Sequence, residues 1–137
     1  MALTDYPKYG ILKTVTTPIV EKPLIWIGSS KKDLVAMPKA VRKVFGHALH
    51  LAQLGERGES TKILSGFGSA GVVEVIEDYA TDTYRAVYTV RFKRAVFVLH
   101  CFKKKSTQGI RTPKRELDCI RARIKVAEQL GKEEERA

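Results

Sequence analysis

Three strand-like runs dominate the chain between Gly71 and Lys105. They read VVEVIED, TYRAVYTV and AVFVLHCF, rich in Val, Tyr, Phe and Ile, with short polar breaks at Tyr79–Asp82 and Arg91–Arg94. Runs of this kind at this spacing predict an antiparallel meander. Alternation within Thr83–Val90 puts Tyr84, Ala86, Tyr88 and Val90 on one face, and Thr83, Arg85, Val87 and Thr89 on the other. A two-residue turn at Lys93-Arg94 would set Phe92 opposite Ala95, Arg85 opposite Phe102 and Val87 opposite His100. The Tyr84/Tyr88 face then takes Phe97, Leu99 and Cys101 as neighbours and is assigned to the core. The other face gathers Arg85, His100 and Phe102, with Lys103–Lys105 at its rim. A loop of odd length would exchange these assignments, because side chains alternate with a period of two.

Before the meander, Leu24-Ile25-Trp26-Ile27 is a short continuous apolar strand ended by Gly28. Ser30-Lys31-Lys32-Asp33 fits a capping box at the start of a short helix running to about Met37. Pro38 pre-sets a second helix that ends near Leu54, with Gly55 as the terminating residue. Val41, Val44, Phe45, Ala48, Leu51 and Ala52 form one apolar face on it. The two helices form a hairpin that can lie across the sheet. Three glycines between Gly66 and Gly71 predict a tight turn after Lys62-Ile63-Leu64. No GKS/T ending follows and no helix begins there, so a loop whose backbone approaches RNA fits better than a nucleotide cradle. After the meander, Thr112 and Pro113 supply a cap and a first helical position. Leu117, Ile120, Ile124 and Ala127 form that helix's apolar stripe, and Gly131 ends it. The fold class is α+β: a short strand, a helical hairpin packed on an antiparallel meander, and a C-terminal helix.

Residues 1–21 read as an N-terminal extension, with Tyr6-Pro7 and Thr17-Pro18 breaking any periodicity and a short edge strand around Ile11–Val15. Residues 22–131 form the domain, and residues 132–137 an acidic tail. At 137 residues, 44% apolar and 29% charged, the chain has the make-up of one globular domain. No apolar run approaches a membrane span and no secretory leader pattern is present, which places the protein in the cytoplasm with no membrane partner. The two cysteines, Cys101 and Cys119, sit in no metal-ligand or redox spacing, so neither metal nor cofactor is expected.

Charge changes the picture. The formal net charge is +10, and Lys93 to Lys125 holds 11 Lys or Arg against two acids, Glu116 and Asp118. Such a concentration seeks a polyanion. Arg85 in mid-strand either pairs across the sheet with Glu74 or Asp82, or is a rigidly mounted charge aimed at a phosphate. Lys62, Lys103, Lys104, Lys105 and Arg111 are candidate RNA contacts. Phe102 could stack a base or pack in the core. His100 could move a proton or serve structure. Metal-independent RNA cleavage suits such a set. The substrate brings its own 2′-OH nucleophile, and the protein must align it, stabilise charge on phosphorus and move two protons.

Five segments in order resemble HigB-type, phage-derived toxins of the RelE/ParE superfamily over about Pro23 to Leu130. They are IWIGSS with KKDLVAMPKAVRKVFGHALHLAQLG, then KILSGFGSAGVVEVIED, DTYRAVYTV, VLHCFKKKS and TPKRELD. The resemblance implies the toxin of a type II toxin–antitoxin system, a ribosome-dependent endoribonuclease that cuts mRNA. It also implies a cognate antitoxin, often of helix-turn-helix type, in a hetero-oligomer with the toxin. Carried over by position, the basic residue before the Gly-rich loop is Lys62 and the strand arginine is Arg85. The cluster after the last strand is Lys103–Lys105, and His100 and Phe102 belong to the LHxFxKKS segment. Relatives often carry a Tyr, or an Asp and a His, near the C-terminus, and GKEEERA offers no match. The rival readings are a ParE-like toxin acting on DNA gyrase, a nucleic-acid-binding module without chemistry, and a scaffold for its antitoxin that has lost its toxicity.

Overall fold

In a computed structural model describing residues 20–68, 71–105 and 111–136, the meander and its flanking helices assemble into an α+β domain. The elements are β1 (Leu24–Trp26), α1 (Ser30–Val35), α2 (Lys39–Gln53), β2 (Thr61–Ile63), β3 (Val72–Tyr79), β4 (Asp82–Thr89), β5 (Val96–Lys105) and α3 (Lys114–Arg136). The five strands form one mixed sheet in the order β1-β5-β4-β3-β2. All neighbours are antiparallel except β1, which runs parallel to β5. Strand β2, which the pattern did not announce, pairs Lys62 with Glu74. The edge strand proposed around Ile11–Val15 lies outside the described residues. Among the described residues no helix is long and apolar enough to cross a membrane.

The β3–β4 hairpin closes where the polar break predicts, with Tyr79 opposite Asp82 and Ala80 at φ +58°. A positive φ at the first turn residue suits the right-handed twist of the flanking strands. The β4–β5 connection differs from the expected two-residue turn. β4 ends at Thr89 and β5 starts at Val96, so Phe92 and Ala95 are not strand partners. The far half of the ladder keeps the expected register, with Arg85 opposite Phe102 and Val87 opposite His100. A β-bulge then shifts the pairing so that Tyr88 meets Val98. The extra residue reverses the alternation. Phe97 and Leu99 therefore join the face opposite Tyr84 and Tyr88, while Cys101 stays with the tyrosines.

Both faces of the sheet are covered. On one, Leu34 of α1 and Val41, Phe45 and Ala48 of α2 pack against Val73, Val75, Ala86, Tyr88 and Val98. On the other, Ile120, Ile124 and Ala127 of α3 pack against Val72, Val87, Phe97, Leu99 and Phe102. Each large apolar side chain buried this way is worth about 1.5–3 kcal/mol relative to exposure. The expected open basic face is thus largely roofed by α3. What stays open lies towards the sheet edge formed by β2, where the chain enters that helix.

The helix ends depart from the expected signals for tertiary reasons. Ser30 is buried, and its hydroxyl donates to Val98 O at 3.0 Å. The capping position falls to Ser29, whose carbonyl accepts from Asp33 N at 2.9 Å and whose hydroxyl donates to Asp33 Oδ2 at 2.7 Å. α2 ends as read, with Gly55 at φ +81° and Glu56 N reaching back to Leu51 O at 2.8 Å. Thr112 does not cap α3. Pro113 O accepts from Glu116 N and Leu117 N, and the Thr112 hydroxyl turns towards the sheet. Gly131 does not end α3 either, since the helix runs on to Arg136.

A candidate nucleic-acid interface

A groove of about 930 Å³ opens between β2 and the start of α3. Lys62, Arg85, Arg111 and Lys114 line it, with Ser65 and Thr112 offering hydroxyls and Leu64, Pro113 and Leu117 giving apolar wall. These side chains meet because β2, β3 and β4 are adjacent in the sheet and Thr112, in the segment entering α3, bonds Arg85 of β4. Lys62 keeps 58% of its side chain exposed, whereas Arg85 keeps 5%. The groove thus has one mobile cation at its lip and one fixed cation at its floor.

The floor is held by Glu74, a fully buried carboxylate in β3. Arg85 Nη1 donates to Glu74 Oε2 at 3.2 Å and to Thr112 Oγ1 at 2.9 Å. The Thr112 hydroxyl lies 3.5 Å from the same carboxylate oxygen. Lys62 Nζ stands 3.6 Å from Glu74 Oε1. Of the two acids considered as partners of Arg85, Glu74 takes the role, and Asp82 pairs with Lys103 at 3.7 Å instead. Lys104 is buried, and its pKa is lowered by lost solvation first and then by the Arg85 charge, with Glu74 acting against both.

The other expected residues lie elsewhere. His100 sits at the bulge under α3, where Glu116, Cys119 and Arg123 face it from successive helical turns. Its Nε2 is 2.8 Å from Glu116 Oε1 and its Nδ1 is 3.3 Å from Arg123 Nη1. A guanidinium only donates, which makes Nδ1 the acceptor and Nε2–H the donor to Glu116. Cys119 Sγ lies 3.9 Å from Nδ1. Phe102 stacks on His100 with ring centroids 4.8 Å apart and is buried beneath α3. His100, Phe102 and Lys103 border a separate concavity of about 360 Å³ beside α1. Lys105 ends β5 opposite Asp82. The structure therefore unites Lys62, Arg85 and Arg111 and leaves His100, Phe102 and Lys103 apart from them.

Sequence reasoning missed Thr112 as a floor ligand and Lys114 as a groove wall. It also missed Glu116 and Arg123 as partners of His100. Only Glu74 carried a signal, as an acid flanked by Val72, Val73, Val75 and Ile76 in the apolar half of its strand. Among the described residues no group of three or more His, Cys, Asp or Glu is gathered as a metal site would need.

Fold and groove together define a small α+β domain with a cation-lined cleft between the β2 edge of its sheet and its C-terminal helix. The family model described as "Phage derived protein Gp49-like (DUF891)" matches residues 32–125, and the chain belongs to that family, a RelE/HigB-like toxin family. The matched span runs from α1 into α3 and includes all four groove cations. No curated protein and no solved structure matches the chain.

Proposed function

We propose that the protein is the toxin of a type II toxin–antitoxin system and cleaves mRNA on the ribosome. The observation that carries this reading is the convergence of Lys62, Arg85, Arg111 and Lys114 on one groove, in a chain of a toxin family. An RNA strand laid in the groove meets positive charge along its phosphates. Arg85, fixed by Glu74 and Thr112, and Lys62 at the lip stabilise the charge that develops on the phosphoryl oxygens as the 2′-oxygen attacks phosphorus and the bond to the 5′-oxygen breaks, with water taking the 2′-hydroxyl proton and supplying one to the 5′-oxygen. Arg111 and Lys103, whose side chain is half exposed, hold flanking phosphates and ribosomal RNA. His100 contributes structure rather than proton transfer, since both ring nitrogens are engaged with α3. The antitoxin, a helix-turn-helix protein in this reading, neutralises the toxin in the cytoplasm as a hetero-oligomer.

A second reading, an RNA-binding module without chemistry, is favoured by the groove's lining, which carries no histidine or carboxylate among the described residues. Induction of the protein in cells lacking its antitoxin, followed by mapping of mRNA 5′ ends, separates the two. Codon-phased cuts in translated messages that disappear with Lys62→Ala and Arg111→Ala support the nuclease. Growth arrest with intact mRNA moves the weight to a gyrase-type target, and neither arrest nor cuts to the binding module.

A further inference from the structure

We infer that Glu74 is a positioning residue whose carboxylate serves as a stand-in for substrate phosphate, and that RNA binding takes Lys62 away from it. The inference rests on the reading of the groove as an RNA site.

Glu74 is fully buried, yet among the described residues its Oε1 accepts no hydrogen bond. A buried carboxylate normally has its oxygens satisfied, because each unmade bond costs the full desolvation of that atom. Oε2 is served by Arg85 and faces Thr112. Oε1 faces the Lys62 ammonium at 3.6 Å, beyond hydrogen-bond reach. The two cations are held unequally. Arg85 is buried and tied to both Glu74 and Thr112, so its place is fixed. Lys62 is mostly exposed, on a three-residue edge strand, and tied once and loosely. Its ammonium can reach either Glu74 or a phosphate in the groove, because the same side chain lines both.

This arrangement does two things. Arg85 stays aimed at the groove floor in the absence of substrate. Lys62 stays partly neutralised until a phosphate replaces the carboxylate as its partner. Free polyanions then bind less tightly than the four groove cations alone would allow.

The test uses the full-length protein and a short single-stranded 2′-O-methyl RNA, which lacks the nucleophile and so reports binding without cleavage. In the wild type, carboxyl-labelled glutamate followed by NMR should show the Glu74 resonance moving on RNA addition. An unmoved Glu74 resonance in RNA-saturated protein overturns the inference. Glu74→Gln should bind this RNA several-fold tighter at low salt, and Lys62→Met added to it should remove the gain. A simple structural role for Glu74 gives the opposite, weaker binding in Glu74→Gln, and overturns the proposal. If Glu74→Gln does not fold, the wild-type resonance decides alone. Failure of the nuclease reading looks different: mRNA stays intact in cells while the Glu74 resonance still responds to RNA.

Discussion

Arg85 donates to Glu74 across 3.2 Å with both side chains withdrawn from solvent. The pair ties β4 to β3 on the floor of the groove. A buried pair of this kind tolerates the loss of both partners better than the loss of one, because a single deletion strands a charge. Arg85→Ala should therefore cost about 3–5 kcal/mol. Glu74→Leu combined with Arg85→Met should recover most of that loss. Urea denaturation of the single and double variants checks this. A double variant as unstable as Arg85→Ala would show that the pair's contacts, rather than the stranded carboxylate, set the cost. For the same reason, loss of activity in Arg85→Ala reports on folding, and surface groove residues are the better probes of function.

Those probes are Lys62 and Arg111. Each is predicted to act as one phosphate contact, so Lys62→Ala or Arg111→Ala should weaken single-stranded RNA binding. Each should also reduce the log–log salt slope by about 0.7, leaving thermal stability nearly unchanged. Equal slopes in variant and wild type would remove that residue from the interface.

Gly131 lies directly beneath the Phe92 ring, where a Cβ would overlap the Cε1 and Cδ1 atoms. In an exposed helix, Gly→Ala gains about 0.8–1.0 kcal/mol. Here the overlap outweighs the propensity, and Gly131→Ala should destabilise by about 1–3 kcal/mol. Phe92→Leu in the same chain should restore part of it. Differential scanning calorimetry of the wild type and the two variants reads the sign directly.

Burial raises the Cys101 thiol from 9.0 to about 12, with the Asp33 charge adding to the shift and Arg123 opposing it. The folded state thus favours the protonated thiol. Its contribution is constant below pH 9, then falls as pH rises towards 12, because only the unfolded chain can ionise in that window. At pH 10 the loss from this group is about 1.4 kcal/mol. Tyr88, raised from 10.0 to about 12 by burial, adds a loss that begins one pH unit higher. Chemical denaturation of wild type and Cys101→Ala between pH 7 and 10 isolates the cysteine. The gap between the two proteins should narrow above pH 9, and a constant gap would refute the assignment.

Much of this molecule is legible from the chain alone, and the reasons are local. Val72–Tyr79, Asp82–Thr89 and Val96–Lys105 are strands because alternating β-branched and aromatic residues suit a pleated surface. Lys39–Gln53 is a helix because its apolar residues recur on one face between Pro38 and Gly55. The basic share of the second half was likewise visible. Tertiary structure decided the rest. The bulge beside Val98 moved Phe97 and Leu99 to the face that α3 covers, and no pattern in the strand marks where an extra residue is absorbed. Gly131 reads as a stop signal, yet it continues a helix because Phe92, distant in sequence, needs the space. Above all, Lys62, Glu74, Arg85 and the Arg111/Lys114 pair lie on separate segments. Sheet order and the path into α3 bring them to one place, and those depend on long-range packing that no local window contains.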